Sequence, residues 1–285
     1  MKLNNIIIFA LCTVMLIFFS GISVSAEEGE IDFKAFINEN GEAVIPEAID
    51  DVAITSIPAR AFYGVGELKR VLIPGSVTKI EQYAFSGCKA LSEVVFSDNI
   101  TVIGTNAFSN CSALTELKMP QNLTDVGDYA FMNCAALTKV EFGGNIKTIG
   151  FAAFASCKSL SDVTFGTSLT NLAASSFAEC ESLSEVTLPE SLIRLNEDTF
   201  ANCKSLVKIT VEGLETTVNS RAVRNSASAV IYAYEDSKAY ADAVSGKIAC
   251  QAISSGNSEA TSYSKDISIL ISKIIEVLSA GGSSK

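Results

Sequence analysis

Ala84-Phe85-Ser86-Gly87-Cys88-Lys89-Ala90-Leu91-Ser92-Glu93-Val94-Val95-Phe96 decides the architecture, because it is one of a series. Phe returns at 62, 85, 108, 131, 154, 177 and 200, always 23 residues on. Cys keeps the same step at 88, 111, 134, 157, 180 and 203, and Leu at 68, 91, 114, 137, 160, 183 and 206. A branched or long aliphatic residue follows at 71, 94, 117, 140, 163, 186 and 209, and an apolar residue two positions later. A further apolar pair closes each unit, as in Val77 with Ile80 or Leu123 with Val126. Chance does not hold several residue types in phase over so many copies, and a fixed period of this size is the signature of a stacked array.

The end of the unit, Leu-x-x-Val-x-Ile, alternates apolar residues at period two. That suits a short strand with alternate side chains inward. Pro74, Pro120 and Pro189, or Gly143 and Gly166, follow the strand and end it. A single unit cannot bury its apolar side; stacked units can, each coil covering the last. Equivalent residues then lie about 4.8 Å apart, the strand spacing, so Phe stacks on Phe and Cys on Cys. The residue before each Phe is small (Ala61, Ala84, Ala107, Ala130, Ala153, Ser176, Thr199), as close backbone approach between coils requires.

From about residue 43 to 253 the pattern resembles the BspA-type leucine-rich repeats. The likeness is carried by Ala84-Phe85-x-x-Cys88-x-x-Leu91-x-x-Val94-x-Phe96 and its copies. It implies a β-rich α/β solenoid: a right-handed, curved leucine-rich repeat array with a parallel sheet on its concave face. It also implies a secreted or surface-associated protein, several relatives being linked to adhesion to host matrix or to other cells.

The chain has 285 residues, 48% of them apolar and 19% charged, with a formal charge of −11. Such a composition excludes wholesale disorder. An acidic chain without a basic tract is a poor partner for nucleic acid or an anionic membrane. It has no His and no Trp. Ser-His-Asp and Cys-His catalysis, His-liganded metals and the usual neutral-pH acid–base group are therefore gone. Ser-x-x-Lys occurs at Ser76/Lys79, Ser86/Lys89, Ser205/Lys208 and Ser262/Lys265, and Ser97-Asp98-Asn99 is present. The Lys-Thr-Gly that would complete a penicillin-recognising set is missing. The chain is read as a non-enzyme, with no catalytic residue, cofactor or metal.

Six segments are expected. Residues 1–26 read as a cleaved secretory signal: Lys2, an apolar Ile6 to Phe19, then Val24-Ser25-Ala26. Residues 27–57 form an N-terminal cap and first partial coil, with a hairpin at Asn38-Glu39-Asn40-Gly41; Ile54 and Ile57 already match Val77 and Ile80. Residues 58–235 are the solenoid, its last coil placing Ala229, Tyr232 and Tyr234 on the Leu, Val and Ile positions. Residues 236–253 form a helix-and-strand C-terminal cap, with Asp236-Ser237 as N-cap, Ala239, Tyr240, Ala243 and Val244 on one helix face, Gly246 as stop and Ile248–Ile253 as the last strand. Residues 254–264 are a flexible linker. In 265–285, Ile267, Leu270, Ile271, Ile274, Ile275 and Leu278 fall at helical spacing. Folding back on the solenoid edge, docking or self-association through Lys265 to Leu278, and membrane-surface contact are the three readings of that helix. No second segment is long and apolar enough to cross a membrane.

Three arrangements compete for the cysteine row: a buried thiol ladder, disulfides between neighbours, and a metal site. A straight row favours the first, since zinc needs four convergent thiolates. Cys250 has no counterpart in the repeat and is placed in the cap core. Asn110, Asn133 and Asn202 are read as turn residues. The strand residues predicted to point outward form two columns. One is Arg70, Glu93, Glu116, Lys139, Asp162, Glu185 and Lys208; the other is Leu72, Val95, Lys118, Glu141, Thr164, Thr187 and Thr210. They read either as a solvated face with opposite charges laddered across strands or as a docking surface for a protein on host matrix or a neighbouring cell. No exposed aromatic cluster there singles out a carbohydrate. A structural module of the producer's own envelope or secreted matrix, held through the terminal helix, is the alternative.

Overall fold

Leu68, Leu91 and their five copies are fully buried, and the strand that follows each turns Val71, Leu117, Val140, Val186 or Ile209 inward. In the computed structural model, which describes residues 31–253, these strands lie side by side in a parallel major sheet. Its register advances by one repeat: Arg70 pairs with Glu93, Lys139 with Glu116 and Asp162, Glu185 with Lys208. The described residues form a parallel-sheet solenoid with one short α-helix near their C-terminal end, Lys238–Ser245. The apolar pair closing each coil forms a second, minor sheet of eight two-residue strands, unbroken from Ser56–Ile57 to Thr217–Val218.

The core is a set of rows. The seven Phe rings from Phe62 to Phe200 are fully buried. Their centroids lie 4.9, 4.9, 5.1, 5.0, 5.2 and 5.8 Å apart, with planes within 9° except at the last step. The small residue before each Phe explains the spacing: the Phe85 N–H donates to the Ala107 carbonyl at 2.7 Å, and Phe108 and Phe131 repeat the bond to Ala130 and Ala153. Two residues per coil then take left-handed backbone. One series is Arg60, Tyr83, Asn106, Tyr129, Ala152, Ser175 and Asp198; the other is Gly64, Gly87, Asn110, Asn133, Ser156, Glu179 and Asn202. Asn tolerates that conformation best among residues with a side chain, which accounts for the Asn residues before the cysteines.

Gly104, Gly127 and Gly150 sit where the backbone of one coil presses on the next. A Cβ on Gly127 would lie 2.7 Å from the Thr105 nitrogen and 2.8 Å from the Gly104 carbonyl carbon. Gly127→Ala is expected to destabilise the fold by about 1–3 kcal/mol, the usual cost of overpacking, read as a lowered thermal midpoint.

The major sheet has two gaps. Ladder pairing is lost between Glu93–Val95 and Glu116–Lys118, and again between Asp162–Thr164 and Glu185–Leu188. At both, a Phe just after the strand is followed in the next coil by an aliphatic residue: Phe96 by Met119, Phe165 by Leu188. Phe142, which does have a ring to stack on (Phe165, 5.7 Å), stays in a paired strand. A wide ring over a narrower side chain is left half-buried and its strand parts from the ladder.

The ends depart from the expected detail. The Asn38–Gly41 turn forms, and Asn38 Oδ1 accepts from the Asn40 and Glu42 amides. It closes on one antiparallel bridge, Ile37 with Ala43, and its first arm is a 3-10 helix, Phe33–Phe36. The paired hairpin is Ala48–Ile49 with Val52–Ala53, turning at left-handed Asp50 and Asp51. In the last coil Ile209 pairs with Ile231, so Ile231 and Ala233 enter the core while Tyr232 and Tyr234 turn outward. The predicted register was one residue out, and such a slip exchanges the two faces. The terminal helix is capped by Ser237, whose Oγ accepts from the Tyr240 amide. It buries Ala239 and Ala243 but leaves Val244 56% exposed, contrary to the predicted face.

Candidate functional site

The cysteine row is a hydrogen-bonding device. Each thiol is fully buried and free. Each donates to the carbonyl of the Phe one coil back: Cys88 to Phe62 at 3.0 Å, Cys111 to Phe85 at 3.2 Å, Cys134 to Phe108 at 3.3 Å, and so on to Cys203. In the last coil Ser226 Oγ makes the same bond to Phe200 at 2.7 Å. From Phe62 to Phe154 the same carbonyl also accepts the amide three residues on, as in Cys88 N–H to Phe85 at 3.2 Å, so the thiol is a second donor that fills the oxygen's remaining lone pair. Desolvation raises the Cys88 and Cys203 thiols to about 12 and lifts Cys111, Cys134 and Cys180 well above the ordinary range. Groups held this firmly as neutral thiols are poor nucleophiles and poor metal ligands.

The outward columns of the major sheet are assembled as the spacing predicts. Arg70 Nε pairs with Glu93 at 2.9 Å across the strands. Lys139 pairs with Glu141 on its own strand at 2.7 Å and with Asp162 on the next at 3.6 Å. Lys208 reaches Glu185 at 3.8 Å. The hydrogen bond from Lys139 is the main reason the Glu141 carboxyl sits below its usual range, and Glu141 in turn raises Lys139. Lys118 adds a weaker field at Glu141. Leu72 is half-buried and Val95 is exposed at one end, and Glu116 stands exposed beside Lys139. These pairs are solvated, and each contributes at most about 1 kcal/mol.

Toward the C-terminal end the face changes character. Thr187 lies beside Thr210, Thr210 beside Tyr232, and Tyr232 beside Gln251. Lys208 Nζ lies 5.7 Å from the centre of the Tyr232 ring. Where the ladder parts between Asp162–Thr164 and Glu185–Leu188, an open depression of about 410 Å³ forms, lined by Thr164, Phe165, Glu185, Thr187 and Glu212 among others. A second, of about 590 Å³, lies on the minor-sheet side around Asn171, Ile193, Arg194 and Lys238. Tyr232 is the residue the sequence reading missed. The signal was present in Val230-Ile231-Tyr232-Ala233-Tyr234, where period two with polar-tipped rings outward fits better than rings inward.

Away from that face, Tyr63 and Phe151 are exposed on the turn side, each beside a half-buried tyrosine. Arg60 lies 5.7 and 5.6 Å from the rings of Tyr63 and Tyr83, and Tyr129 packs edge-on against Phe151 at 5.3 Å. They come together because residues 20 or 22 apart meet across adjacent coils. In one Ser-x-x-Lys pair Lys79 is held by Glu81 and the Ser76 amide donates to Glu47, while the Ser76 Oγ is buried without a hydrogen-bond partner.

The BspA type leucine rich repeat model matches residues 29–158 and 124–239 in six copies. The chain belongs to the BspA-type leucine-rich repeat family. Among solved structures, a leucine-rich repeat protein from Eubacterium ventriosum is 23% identical, with a TM-score of 0.54, over 65% of this chain and 58% of that one. That likeness bears on the fold. A leucine-rich repeat protein of T. pallidum is 27% identical over 64% of this chain and 74% of its own, at a TM-score of 0.47. A leucine rich cell surface protein from Faecalibacterium prausnitzii is 21% identical over 75% and 82%, at 0.36. No curated protein matches. As in other leucine-rich repeat arrays, this BspA-type chain presents a long parallel face built from one residue pair per coil.

Proposed function

We propose that this BspA-type protein is exported, and that it is a non-catalytic binder contacting a protein on host matrix or a neighbouring cell through the outward face of its major sheet. The observation that carries this reading is the row Thr164, Thr187, Thr210, Tyr232 and Gln251. It is a neutral, hydroxyl-rich strip beside a depression, on a face where most charges, from Arg70 with Glu93 to Lys208 with Glu185, are paired. Paired charges are costly to strip of water; hydroxyls and a tyrosine are suited to an interface. The family and the cell-surface description of the Faecalibacterium protein support the location.

The test is binding of the purified protein to a panel of immobilised matrix proteins and to whole cells. Thr187→Arg, an exposed change expected to leave stability within about 0.5 kcal/mol, is expected to weaken binding about 30-fold, the scale of a hot-spot residue. Arg70→Ala at the far end is expected to leave binding nearly unchanged. Equal binding by Thr187→Arg and the parent would remove this face from consideration.

A further inference from the structure

Among the described residues, helix Lys238–Ser245 covers the C-terminal end of the solenoid only in part. Strand Cys250–Ile253 pairs in register with Val230–Tyr234, setting Cys250 beside Ile231 and Ala252 beside Ala233. Ile231, Ala233 and their predecessors Ile209 and Val211 are all fully buried. By register Cys250 and Ala252 belong to the same interior column, yet Cys250 is half-buried and Ala252 is exposed. Around them Ala241, Val244 and Ala249 are exposed and Ile248 is half-buried. The free edge of the last strand runs along the same opening. At the other end, Phe33 and Phe36 of the 3-10 helix close over the core, with Phe33 meeting Phe62 edge-on at 6.1 Å.

We propose that residues 265–278 of this same chain cover that opening. An array of this kind needs a polar-backed cap at each end. The segment carries Ile267, Leu270, Ile271, Ile274, Ile275 and Leu278 at helical spacing, with charged Lys265, Asp266, Lys273 and Glu276 among them. It lies outside the described residues and joins the last strand through residues 254–264. A connection of that length reaches at most about 40 Å, so the segment is held near the opening at an effective concentration on the order of millimolar. The side chains exposed at the opening are few and small, Ala241, Val244, Ala249 and Ala252, whereas a stable interface between separate molecules buries roughly 1,200 Å² or more. A tethered occupant needs no such area, which favours the chain's own tail over a second copy. A tail engaged in this way is not available as an anchor.

Cys250 reports on the cap. It is the single half-buried thiol among the described cysteines, the other six being fully buried. The full chain carrying Cys12→Ser is titrated natively with 5,5′-dithiobis(2-nitrobenzoate), with and without Leu270→Asp and Ile274→Asp. The double variant is expected to release one thiol at least about tenfold faster than the parent, a change in protection of about 1.4 kcal/mol, while the six ladder thiols stay silent in both. Val244→Lys, on the receiving surface, is expected to give the same acceleration. Equal Cys250 rates in parent and variants would overturn the proposal. Protection that disappears on dilution would also overturn it, assigning the cover to a second copy.

Discussion

Raising the pH from about 7.5 to about 10.5 is expected to unfold the solenoid cooperatively, at a pH where most acidic proteins of this size remain folded. The cause is the thiol row. In the unfolded chain a cysteine ionises near pH 8.5. In the fold, burial holds Cys88 and Cys203 up to about 12 and Cys111, Cys134 and Cys180 well above normal. Above about pH 8.5 the folded state therefore keeps protons that the unfolded state releases, and stability falls as pH rises. The stabilisation is complete below the unfolded value and is lost progressively toward the folded one. By pH 10 each retained thiol has withdrawn about 2 kcal/mol, and the five named together on the order of 10 kcal/mol. That is comparable with the whole stability of a typical domain.

The measurement is ellipticity and thiolate absorbance followed through the same titration. Ellipticity and the absorbance of the row thiols are expected to change at one shared midpoint, because the row ionises only when the fold opens. Replacing Cys134 and Cys180 by Ser should move the midpoint upward. Serine does not ionise in this range, and Ser226 already shows that a hydroxyl can serve the Phe carbonyl at this place. Thiolate absorbance from more than the one half-buried thiol, appearing near pH 8.5 over unchanged ellipticity, would mean that the row is solvated, and the account of the cysteines would fall.

The rows of Phe, Cys and Leu were legible in the sequence because a single period fixes them: residues 23 apart must stack, whatever the coil's detailed path. The outward columns were legible for the same reason, down to Lys139 standing next to Asp162 and Arg70 next to Glu93. The minor sheet was not. Two-residue strands such as Lys79–Ile80 or Thr148–Ile149 have no alternation to read; they are made by neighbouring coils and not by their own residues. The left-handed turns were hidden too, since Tyr83, Tyr129 and Ala152 adopt positive φ with no glycine to announce it. Their conformation is imposed by the coil-to-coil bonds on either side.

The misread register at Tyr232 came from extending the period one coil too far, past a point where the chain is one residue shorter. Side-chain chemistry could have corrected it, because Ile231 and Ala233 are better core residues than two tyrosines. The sulfur's role as a donor was also recoverable. Ser226 in a Cys position says that the position asks for a hydrogen-bond donor, not merely for a small apolar group. The depression at Thr164 and Thr187 was not recoverable in the same way, because it depends on Phe165 meeting Leu188 and on how far a strand yields to a ring.

Phe131→Ala is expected to be the most damaging single change in the array, costing about 3–5 kcal/mol. Phe131 is fully buried, with stacked rings at 5.1 Å on one side and 5.0 Å on the other, nearly parallel to both. Its removal leaves a cavity that the neighbouring coils cannot close, because their spacing is set by backbone bonds such as Phe131 N–H to the Ala153 carbonyl. The effect should depend on position. Phe200 stacks on one side only, at 5.8 Å and 23°, so Phe200→Ala should cost less. In a stacked array, stability is a sum over units and their interfaces. Weakening two adjoining interfaces at the centre should therefore do more than lower the total. The urea transition of Phe131→Ala is expected to broaden or split, the halves on either side of the lesion unfolding at different denaturant concentrations. Phe131→Leu, which refills much of the volume, should recover a large part of the loss and a single transition. Ellipticity reports both halves, and tyrosine emission separates them in part, since Tyr63 and Tyr83 lie before the lesion and Tyr232, Tyr234 and Tyr240 after it. A sharp single transition with a loss below about 1 kcal/mol would be the cost of a surface change, and would show that this ring does not hold the two halves of the spiral together.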